Sequence, residues 1–564
     1  MKKSAIILIL AWISISINAQ IAPQKYFIEF MDKTNSPYSI TRPNEFLSQR
    51  AIERRQKQGI PIVTNDIPVN QSYVTQIMQK GVQVLTRSKW MNGITVYCLN
   101  SAIMDSILQL PFVKRIFKNE FYDNVSNYNP VNKFELNEVS LYMEPYVQNL
   151  AGANYIGNSK LDYGAGYNQI HMLHGDSLHA MGFRGEGMII AVLDAGFFHV
   201  DILPAFDSLR INNQIIATRD FVIPGNNVYN EYEHGMEVLS CMGSNLPGQL
   251  VGTAPHANYL LLRTEDAGSE YLIEEYNWVS AAEYADSAGA DIINSSLGYT
   301  EFNDATQNHT CAEMNGHTPI VAKGANLAFS KGMFVVNSAG NYGTSGWKCV
   351  SSPADGFGVM AVAAVCSKGL RADFSSVGSN TGRVKPQFAA MGRRAVVSST
   401  IWTIMYNNGT SFSSPILAGL VACLWQSQPG WSNKLVFRSI ELSGHQSAHP
   451  DSLLGYGIPD FIRARQVMDV GNKRGGDLGA VYPNPFTDQL SIALRASRAQ
   501  NADVSLFNSL GIRVRFIRGI HMRAGENEIL LPGLRDLPAG NYILQITGPD
   551  LLINSQVIRI CLQM

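Results

Sequence analysis

The sequence predicts an α/β protein. Its main domain is a parallel sheet with helices on both faces, preceded by a small α+β domain and followed by a small β-sandwich. The middle of the chain alternates short apolar runs with helical segments. Strands and amphipathic helices are interleaved before it, and alternating apolar residues with Gly, Pro and Asn turns follow it. At 564 residues the chain is too long for a single hydrophobic core.

The composition is that of a globular protein without a charge bias. Apolar residues make up 46%, charged residues 16%, and the formal net charge is -1. Because nucleic-acid-binding domains carry basic surfaces, no nucleic-acid partner is expected. No apolar run after the N-terminal segment is long enough to cross a bilayer, so the mature protein is predicted to have no transmembrane helix.

Residues 1–19 have the pattern of a secretory signal peptide. Lys2 and Lys3 precede an apolar run from Ala5 to Ile15, and the predicted cleavage site follows Ala19. The alternative, a membrane anchor, requires about 20 apolar residues. The run is shorter than that, so export is predicted.

Seven cysteines in an exported chain permit disulfides but are too few for a disulfide scaffold. Cys311 and Cys349 lie in polar loops, and we propose them as a pair. Cys241, Cys366 and Cys423 lie in apolar stretches and are expected to be buried thiols.

Residues 20–122 are predicted to form the small α+β domain. Its segments are, in order, KYFIEF, NEFLSQRAIERRQKQGI, YVTQIMQKGVQVL, GITVYCL and AIMDSILQLPFVKRIF. Strands and helices alternate in these segments as in an α+β sandwich. Residues 123–154 include an Asn- and Tyr-rich stretch without a period and are predicted to be an exposed linker.

Residues 155–469 form the predicted parallel-sheet domain. The apolar runs MIIAVLDAG, NYLLLRT, DIINSSLG, MFVVNSAG and VMAVAAV are its candidate strands, and EYLIEEYNWVSAAEYADSAGA is one of its helices. Functional groups in such sheets collect at the carboxyl ends of the strands. The polar residues of these runs stand at those ends. Residues 470–478 are a linker, and residues 479–564 are the predicted β-sandwich.

Four polar residues of the central domain stand at positions that suit catalysis. Asp194 ends the strand MIIAVL, His234 begins an apolar helix, Asn341 follows a strand, and Ser411 lies in GTSFSSPILAG. Taken singly, each has an ordinary role in a turn or at a helix start. A serine nucleophile needs a base, an orienting carboxylate and an oxyanion donor, and together these residues supply that set.

The order Asp, His, Asn, Ser resembles the subtilisin-like serine peptidases (subtilases, family S8). The segments VLDAG, HGMEV, SSLG, SAGN and GTSFSSP are similar to the signature segments of that family, in the same order. The resemblance implies a subtilisin-like sheet and an acyl-enzyme mechanism. It makes Ser411 the nucleophile, His234 the base and Asp194 the carboxylate that stabilises the imidazolium. Asn341 and the backbone N–H of Ser411 are the implied oxyanion donors.

The resemblance also implies two substrate-binding walls, one that pairs with the substrate backbone and one that borders the primary pocket. Their residues are Ser295, Ser296, Leu297, Gly298, Ala339 and Gly340. An ordinary core strand is the alternative for SSLG. No charge in these segments commits the primary pocket to a basic or an acidic side chain.

The helix that contains Ser411 carries two more expectations. Pro415 is expected in the first helical turn, where a missing N–H has no intrahelical partner to lose. Gly419 is expected to let another segment pack closely against the helix, and the helix after His234 is the candidate.

The sequence departs from the family pattern at two places. Met236 and Glu237 stand where the family commonly has Thr and His, and Gln387 stands where it commonly has Asp. Neither change removes a catalytic residue. The chemistry requires no cofactor, and calcium stabilises many members of the family. The sequence contains no loop whose residues we can assign as calcium ligands, so the metal site is unknown.

The flanking domains resemble known accessory domains. Residues 20–122 resemble the family's ferredoxin-like propeptide, which assists folding, covers the active site and is then removed. An independent binding domain is the alternative. YPNPF and GNYILQI, in residues 479–564, resemble the C-terminal sorting domain of type IX secretion in Gram-negative bacteria. A substrate-binding or adhesive β module is the alternative.

The sequence thus predicts a secreted serine endopeptidase that is made as a zymogen. Its expected partners are protein or peptide substrates, its own propeptide as an intramolecular inhibitor, and the type IX secretion machinery. The expected location is the cell surface or the medium, after export through the periplasm of a Gram-negative bacterium. The alternative, a non-catalytic secreted binding or adhesin protein on a peptidase fold, would require a lost catalytic residue, and none is lost. A metallopeptidase is disfavoured because the sequence contains no His-Glu-x-x-His.

Overall fold

The structure is a computed structural model that describes residues 22–117, 133–134, 161–378, 383–474, 479–482, 486, 488–496, 498–549 and 551–560. The predicted signal peptide lies outside the described residues. So do most of the predicted linker 123–154 and residues 475–478 of the linker 470–478.

The N-terminal domain is a four-stranded antiparallel sheet packed against helices. Its elements are β1 (Lys25–Phe30), α1 (Gln49–Gln58), α2 (Gln71–Met78), β2 (Gln83–Ser88), β3 (Gly93–Tyr97), α3 (Ser101–Leu108) and β4 (Val113–Ile116). The strand order β2-β3-β1-β4 is that of a ferredoxin-like fold. Apolar residues of α2 and α3, such as Ile77 and Ile107, are buried against the sheet. The prediction of a small α+β domain is confirmed.

The central domain is built around a seven-stranded parallel sheet. Up to the centre of the sheet its elements are α4 (Tyr167–His171), α5 (Gly175–Ala180), β5 (Ile189–Asp194), α6 (Asp207–Ile211), β6 (Ile215–Asp220), α7 (His234–Gly243), β7 (Asn245–Leu246), β8 (Leu250–Val251), β9 (Asn258–Arg263), α8 (Ile273–Ala288) and β10 (Ile292–Ser295). The rest are α9 (Ile320–Ser330), β11 (Phe334–Ser338), β12 (Val359–Val365), β13 (Phe388–Met391), β14 (Ala395–Ser398), β15 (Ile404–Asn407), α10 (Thr410–Ser427), α11 (Asn433–Ser443) and α12 (Phe461–Arg474).

The strand order β13-β12-β11-β10-β5-β9-β6 brings the predicted polar strand ends to one edge. The chain leaves β5 toward β6 and β9 and then crosses back to β10, so β5 and β10 are neighbours. Their pairing aligns Leu193 with Ser295, and Ser295 is aligned with Asn337 of β11. This reversal of strand order is where α/β sheets bind ligands.

Helices cover both faces of the sheet, as predicted. One face packs against α8 and α9 through a cluster that includes Trp278 and Val279. The other face packs against α7 and α10. The helix α10 is buried from Thr410 to Trp425, and its residues from Ile416 to Trp425 are apolar on all sides. In the described part of the chain, no helix combines the length and apolarity that a membrane span requires.

One expectation about α10 is wrong, and another is confirmed in part. Pro415 is the sixth residue of the helix, beyond the first turn, so its missing N–H removes a regular helical hydrogen bond. Gly419 does allow close packing, but the nearest atoms belong to Thr253 and Ala254 and not to the helix after His234. A Cβ added to Gly419 would lie 2.0 Å from Thr253 Oγ1.

The C-terminal domain is the predicted β-sandwich. Its strands are β16 (Gly479–Tyr482), β17 (Leu490–Ala496), β18 (Gln500–Asn508), β19 (Arg513–Met522), β20 (Gly525–Leu531), β21 (Gly540–Gly548) and β22 (Leu551–Ile560). They form the sheets β16-β17-β20 and β19-β18-β21-β22. Residues of both sheets, such as Ile492 and Leu506, share one apolar cluster.

The cysteines largely follow the expectations. Cys311 and Cys349 form a disulfide, so the proposed pairing is confirmed. Cys241 and Cys423 are buried free thiols, also as expected. Cys366 is only half-buried, because it directly follows the last residue of β12.

Candidate active site

The carboxylate of Asp194 faces the imidazole of His234 across the carboxyl edge of the sheet. Asp194 Oδ1 accepts a hydrogen bond from His234 Nδ1 at 2.7 Å and one from the backbone N–H of Ala195 at 2.8 Å. Gly235 permits this approach, since an added Cβ would lie 2.2 Å from the carbonyl oxygen of Gly196. With the Nδ1 proton donated to Asp194, Nε2 of the neutral ring is the proton acceptor.

The charges around His234 raise its pKa. Burial alone would lower the pKa. The charge and hydrogen bond of Asp194 and the charges of Glu237 and Glu233 outweigh burial, and the pKa rises above 6.5. Glu237, one turn along α7, is itself buried, and this burial raises its pKa to about 7. Its Oε2 accepts from Asn407 Nδ2 at 2.9 Å.

Ser411 is the second residue of α10, the helix that begins next to His234. The N-cap is Gly409, and the ring of Phe412 lies 6.1 Å from that of His234, centroid to centroid. The Ser411 hydroxyl donates to the carbonyl oxygen of Ser296 at 3.5 Å. Within the described part of the chain, no hydrogen bond joins Ser411 to His234. Such catalytic contacts are often long without a substrate.

The amide of Asn341 is oriented by Thr410. Asn341 Oδ1 accepts from both the backbone N–H and the hydroxyl of Thr410, each at 2.9 Å. A Cβ added to Gly409 would lie 3.7 Å from Asn341 Nδ2 and 3.6 Å from the backbone nitrogen of Ser411. Both nitrogens therefore border the same small space, which stays open because Gly409 has no side chain.

The first predicted substrate wall is partly core and partly cleft. Ser295 is fully buried, and its hydroxyl accepts from Trp278 Nε1 at 2.9 Å. Ser296 is held against α10, because its hydroxyl donates to the carbonyl oxygen of Ser411 at 2.7 Å. The carbonyl oxygen of Leu297 accepts from Asn337 Nδ2 at 2.9 Å.

Gly298 and the second predicted wall meet at Ser351. Cβ atoms added to Gly298 and Gly340 would lie 2.1 and 3.1 Å from Ser351 Oγ. The backbone N–H of Ser351 donates to the carbonyl oxygen of the buried Ala339 at 3.3 Å. Gly298, Ala339 and Gly340 therefore lie together around Ser351.

A two-residue segment, Lys133–Phe134, lies against the site. The ring of Phe134 lies 4.4 Å from the imidazole of His234, centroid to centroid, and 5.3 Å from the ring of Tyr232. Lys133 Nζ lies 3.0 Å from a carboxylate oxygen of each of three glutamates, Glu265, Glu270 and Glu274. These three carboxylates could also hold a cation.

Sequence reasoning placed residues 133 and 134 in a linker and missed both contacts. They join residues 100 or more positions apart, and a single sequence carries no signal of such contacts. The role of Thr410 and the support of Ser411 by Ser296 were also missed. For Ser296 one signal was available, because a proline four residues after Ser411 leaves the Ser411 carbonyl without its helical donor.

Comparisons with known proteins agree with this architecture. Residues 25–133 match the peptidase S8 propeptide domain of Bacteroidota, and residues 480–559 match the secretion system C-terminal sorting domain. Residues 185–457 match the subtilase family. The central domain is a subtilase. The subtilase domain thus lies between a propeptide domain and a sorting domain, and its match contains Asp194, His234, Asn341 and Ser411.

Curated relatives of the subtilase domain include subtilisins. Subtilisin NAT of Bacillus subtilis subsp. natto is 29% identical over 48% of this chain and 64% of the relative. A subtilisin of Bacillus pumilus is 29% identical over 48% of this chain and 89% of the relative. The chain thus spans less than two thirds of the first of these. A solved structure of the prenylagaramide maturation protease PagA is similar at 22% identity, over 52% of this chain and 97% of that chain, with a TM-score of 0.42.

Proposed function

We propose that this chain is a secreted serine endopeptidase, made as a zymogen, that hydrolyses peptide bonds through Ser411, His234 and Asp194. The hydrogen bond from His234 Nδ1 to the buried Asp194 carries the proposal, because it leaves Nε2 to accept a proton. Ser411 and Asn341, at the same edge of the sheet, supply the nucleophile and an oxyanion donor.

In the proposed reaction, Ser411 Oγ attacks the substrate carbonyl carbon while His234 Nε2 takes its proton. Asp194 stabilises the resulting imidazolium. The carbonyl oxygen becomes negatively charged and accepts hydrogen bonds from Asn341 Nδ2 and the Ser411 N–H. His234 then gives its proton to the leaving amine, and water hydrolyses the acyl-enzyme by the same steps. No step requires a cofactor.

The N-terminal domain is proposed to be the inhibitory propeptide. Arg54, Arg55 and Lys89 of this domain form ion pairs with Asp286 of α8, and all four side chains are buried. From the same surface of the propeptide, Ser88 Oγ and the backbone N–H groups of residues 89 and 90 donate to Glu283 at 2.5–2.9 Å. This interface supports a propeptide that stays bound, and Phe134 against His234 supports a blocked cleft.

The sorting domain supports export to the cell surface or the medium by a type IX system, after passage through the periplasm of a Gram-negative bacterium. Deletion of residues 475–564 should trap the protein in the periplasm. Normal release of the deletion variant would favour an adhesive or substrate-binding role for this domain.

The deciding experiment is reaction of the matured protein with a serine-directed phosphonate, followed by mapping of the label. We expect the adduct on Ser411. An adduct elsewhere, or none, would contradict the proposed mechanism and favour a non-catalytic binding or adhesin protein.

Ser411→Ala tests the zymogen. If maturation is autocatalytic, this variant should keep an uncleaved propeptide. Normal processing of the variant would show that another protease removes the propeptide.

A further inference from the structure

Three glutamates of the central domain converge on the ammonium group of Lys133. Glu265 follows β9, Glu274 lies in the first turn of α8, and Glu270 lies in the loop between these elements. Each places its Oε2 atom 3.0 Å from Lys133 Nζ. The side chains of Glu265 and Glu274 are only 2% exposed, so this is a built pocket and not an acidic patch on the surface.

The surrounding structure fixes the direction of these carboxylates. The hydroxyl of Tyr299 donates to Glu265 Oε1, and the backbone N–H of Asp266 donates to Glu274 Oε1 at 2.8 Å. Asn303 holds the backbone of Glu270 through two hydrogen bonds of 2.7 and 2.8 Å. The Oε2 atoms are therefore left to face a cation.

Burial and the charge of Lys133 act in opposite directions on these carboxyl groups. Burial and the repulsion between the carboxylates raise the pKa of Glu270 to about 7 and raise that of Glu274 well above its ordinary value, while the charge of Lys133 opposes both shifts. Burial would lower the pKa of Lys133, but the three carboxylates raise it well above 10.5. The carboxylates therefore favour the charged form of Lys133, and the ammonium group in turn offsets part of the cost of burying the carboxylates.

The residue that occupies the pocket and the residue that packs on His234 are consecutive in the chain. Lys133 occupies the pocket, and the next residue, Phe134, packs its ring on the imidazole of His234. A chain that lies in this cleft can therefore place one side chain on His234 and the preceding side chain in the pocket.

We propose that Glu265, Glu270 and Glu274 form a specificity pocket for the lysine side chain of a protein substrate, one residue before an aromatic side chain that packs on His234. Lys133 and Phe134 occupy these positions in the zymogen as an internal mimic of the substrate. The inference rests on the proposed peptidase function.

The geometry favours lysine over the other cations that carboxylates bind. Three oxygens within 4.8 Å of one another, each 3.0 Å from one nitrogen, match the three N–H donors of an ammonium group. A guanidinium group is a planar fork and fits two parallel oxygens better. A calcium ion would draw the oxygens in to about 2.3–2.6 Å and require further ligands.

The test uses the protein matured from the full chain and quenched peptides based on residues 129–138, NPVNKFELNE. Parallel peptides carry norleucine, arginine or glutamate in place of the lysine. We expect norleucine to lower kcat/KM about 10- to 100-fold, as for loss of charge-assisted hydrogen bonds, and glutamate to lower it further. Arginine should give an intermediate value.

Glu270→Gln tests whether the pocket causes the preference for lysine over norleucine. It keeps the side-chain shape but removes one charge, so the lysine-to-norleucine ratio of kcat/KM should fall. Glu301→Gln is the matched control, because Glu301 is an exposed carboxylate two residues after Tyr299. The control should keep the ratio of the unmodified protein.

Fluorescence anisotropy of labelled peptides gives a readout that does not depend on catalysis. Hydrolysis with equal kcat/KM for all four peptides would overturn the pocket and leave the peptidase function standing. Lysine-dependent binding without hydrolysis would support the pocket and overturn the peptidase function. If the peptides bound only with added Ca²⁺, and equally well with or without the lysine, the lysine pocket would be overturned in favour of a metal site.

Discussion

The hydroxyl of Ser296 donates to the backbone carbonyl oxygen of Ser411 at 2.7 Å. In a regular helix that carbonyl would accept from the N–H of residue 415, which is a proline and has none. Ser296 replaces the missing donor and ties the strand segment after β10 to the start of α10. Ser411 is thereby held from outside its own helix.

Ser296→Ala should destabilise the protein by about 1–3 kcal/mol, the cost of a buried acceptor without a partner, and should lower kcat because Ser411 is held less firmly. Urea unfolding and peptide hydrolysis measure the two effects. The double variant Ser296→Ala/Pro415→Ala restores an N–H donor to the Ser411 carbonyl and should recover part of the loss. Strictly additive effects of the two changes would contradict this coupling.

Asn341→Ala should lower kcat by about 10² to 10³ with little change in KM, because an oxyanion donor acts mainly in the transition state. Thr410→Val should also lower kcat, since it removes one of the two donors that orient the Asn341 amide. Thr410→Ser keeps that hydroxyl and is the control. Equal kcat values for the valine and serine variants would remove Thr410 from this role.

The acid limb of the pH dependence of kcat/KM should lie above pH 6.5. The proposed base, His234, acts in its neutral form, and its pKa is raised, so activity should be lost as the pH falls through that pKa. Glu237→Gln removes one of the charges that raise it, and the limb should move to lower pH. Initial rates across pH 5–9 measure the direction of this movement. Glu301→Gln should leave the limb in place.

Asp286→Asn should loosen the propeptide, because it leaves Arg54, Arg55 and Lys89 buried without their shared carboxylate. Loss of one partner of a buried ion pair costs about 3–5 kcal/mol, which corresponds to at least about 100-fold weaker association. Gel filtration at successive times after cleavage would show the propeptide dissociating sooner from the variant than from the unmodified protein. Glu29→Gln is the control, because Glu29 pairs with exposed Lys114 inside the propeptide.

Cys311→Ser/Cys349→Ser should lower the melting temperature. The disulfide closes a loop with a sequence separation of 38, and chain entropy assigns such a loop about 4 kcal/mol. Calorimetry with and without a reductant measures the shift. Cys366→Ser, at a free and half-buried thiol, should leave the dependence on reductant unchanged. If the reductant left the melting temperature of the unmodified protein unchanged, the expectation would be contradicted.

Much of the fold and of the candidate site could be predicted because the signals are local. Asp194 and Ser295 end apolar runs, and parallel strands bring their carboxyl ends to one edge. Gly409 and Ser411 lie in one three-residue stretch at the start of a helix. The proposed nucleophile and its backbone N–H could therefore be assigned together. The Cys311–Cys349 pair was predicted from the polarity of two loops.

Contacts between distant segments could not be predicted. Gly419 was assigned to the helix after His234, but the tertiary structure brings Thr253 against it. Pro415 was placed in the first helical turn, because the sequence alone does not show where the helix begins. The partner that makes Pro415 tolerable, Ser296, comes from another strand.

The sequence by itself determined the order of the domains and the strands that carry the polar residues, and it predicted Asp194, His234, Asn341 and Ser411 as the candidate catalytic residues. These follow from hydrophobic periodicity and from short motifs, which act over a few residues. Only the tertiary structure decided that Thr410 orients Asn341, that Ser296 supports Ser411, and that Lys133 lies among Glu265, Glu270 and Glu274. The physical reason is that charge pairing and hydrogen bonding across a cleft depend on distances in space, which the packing of the whole sheet sets.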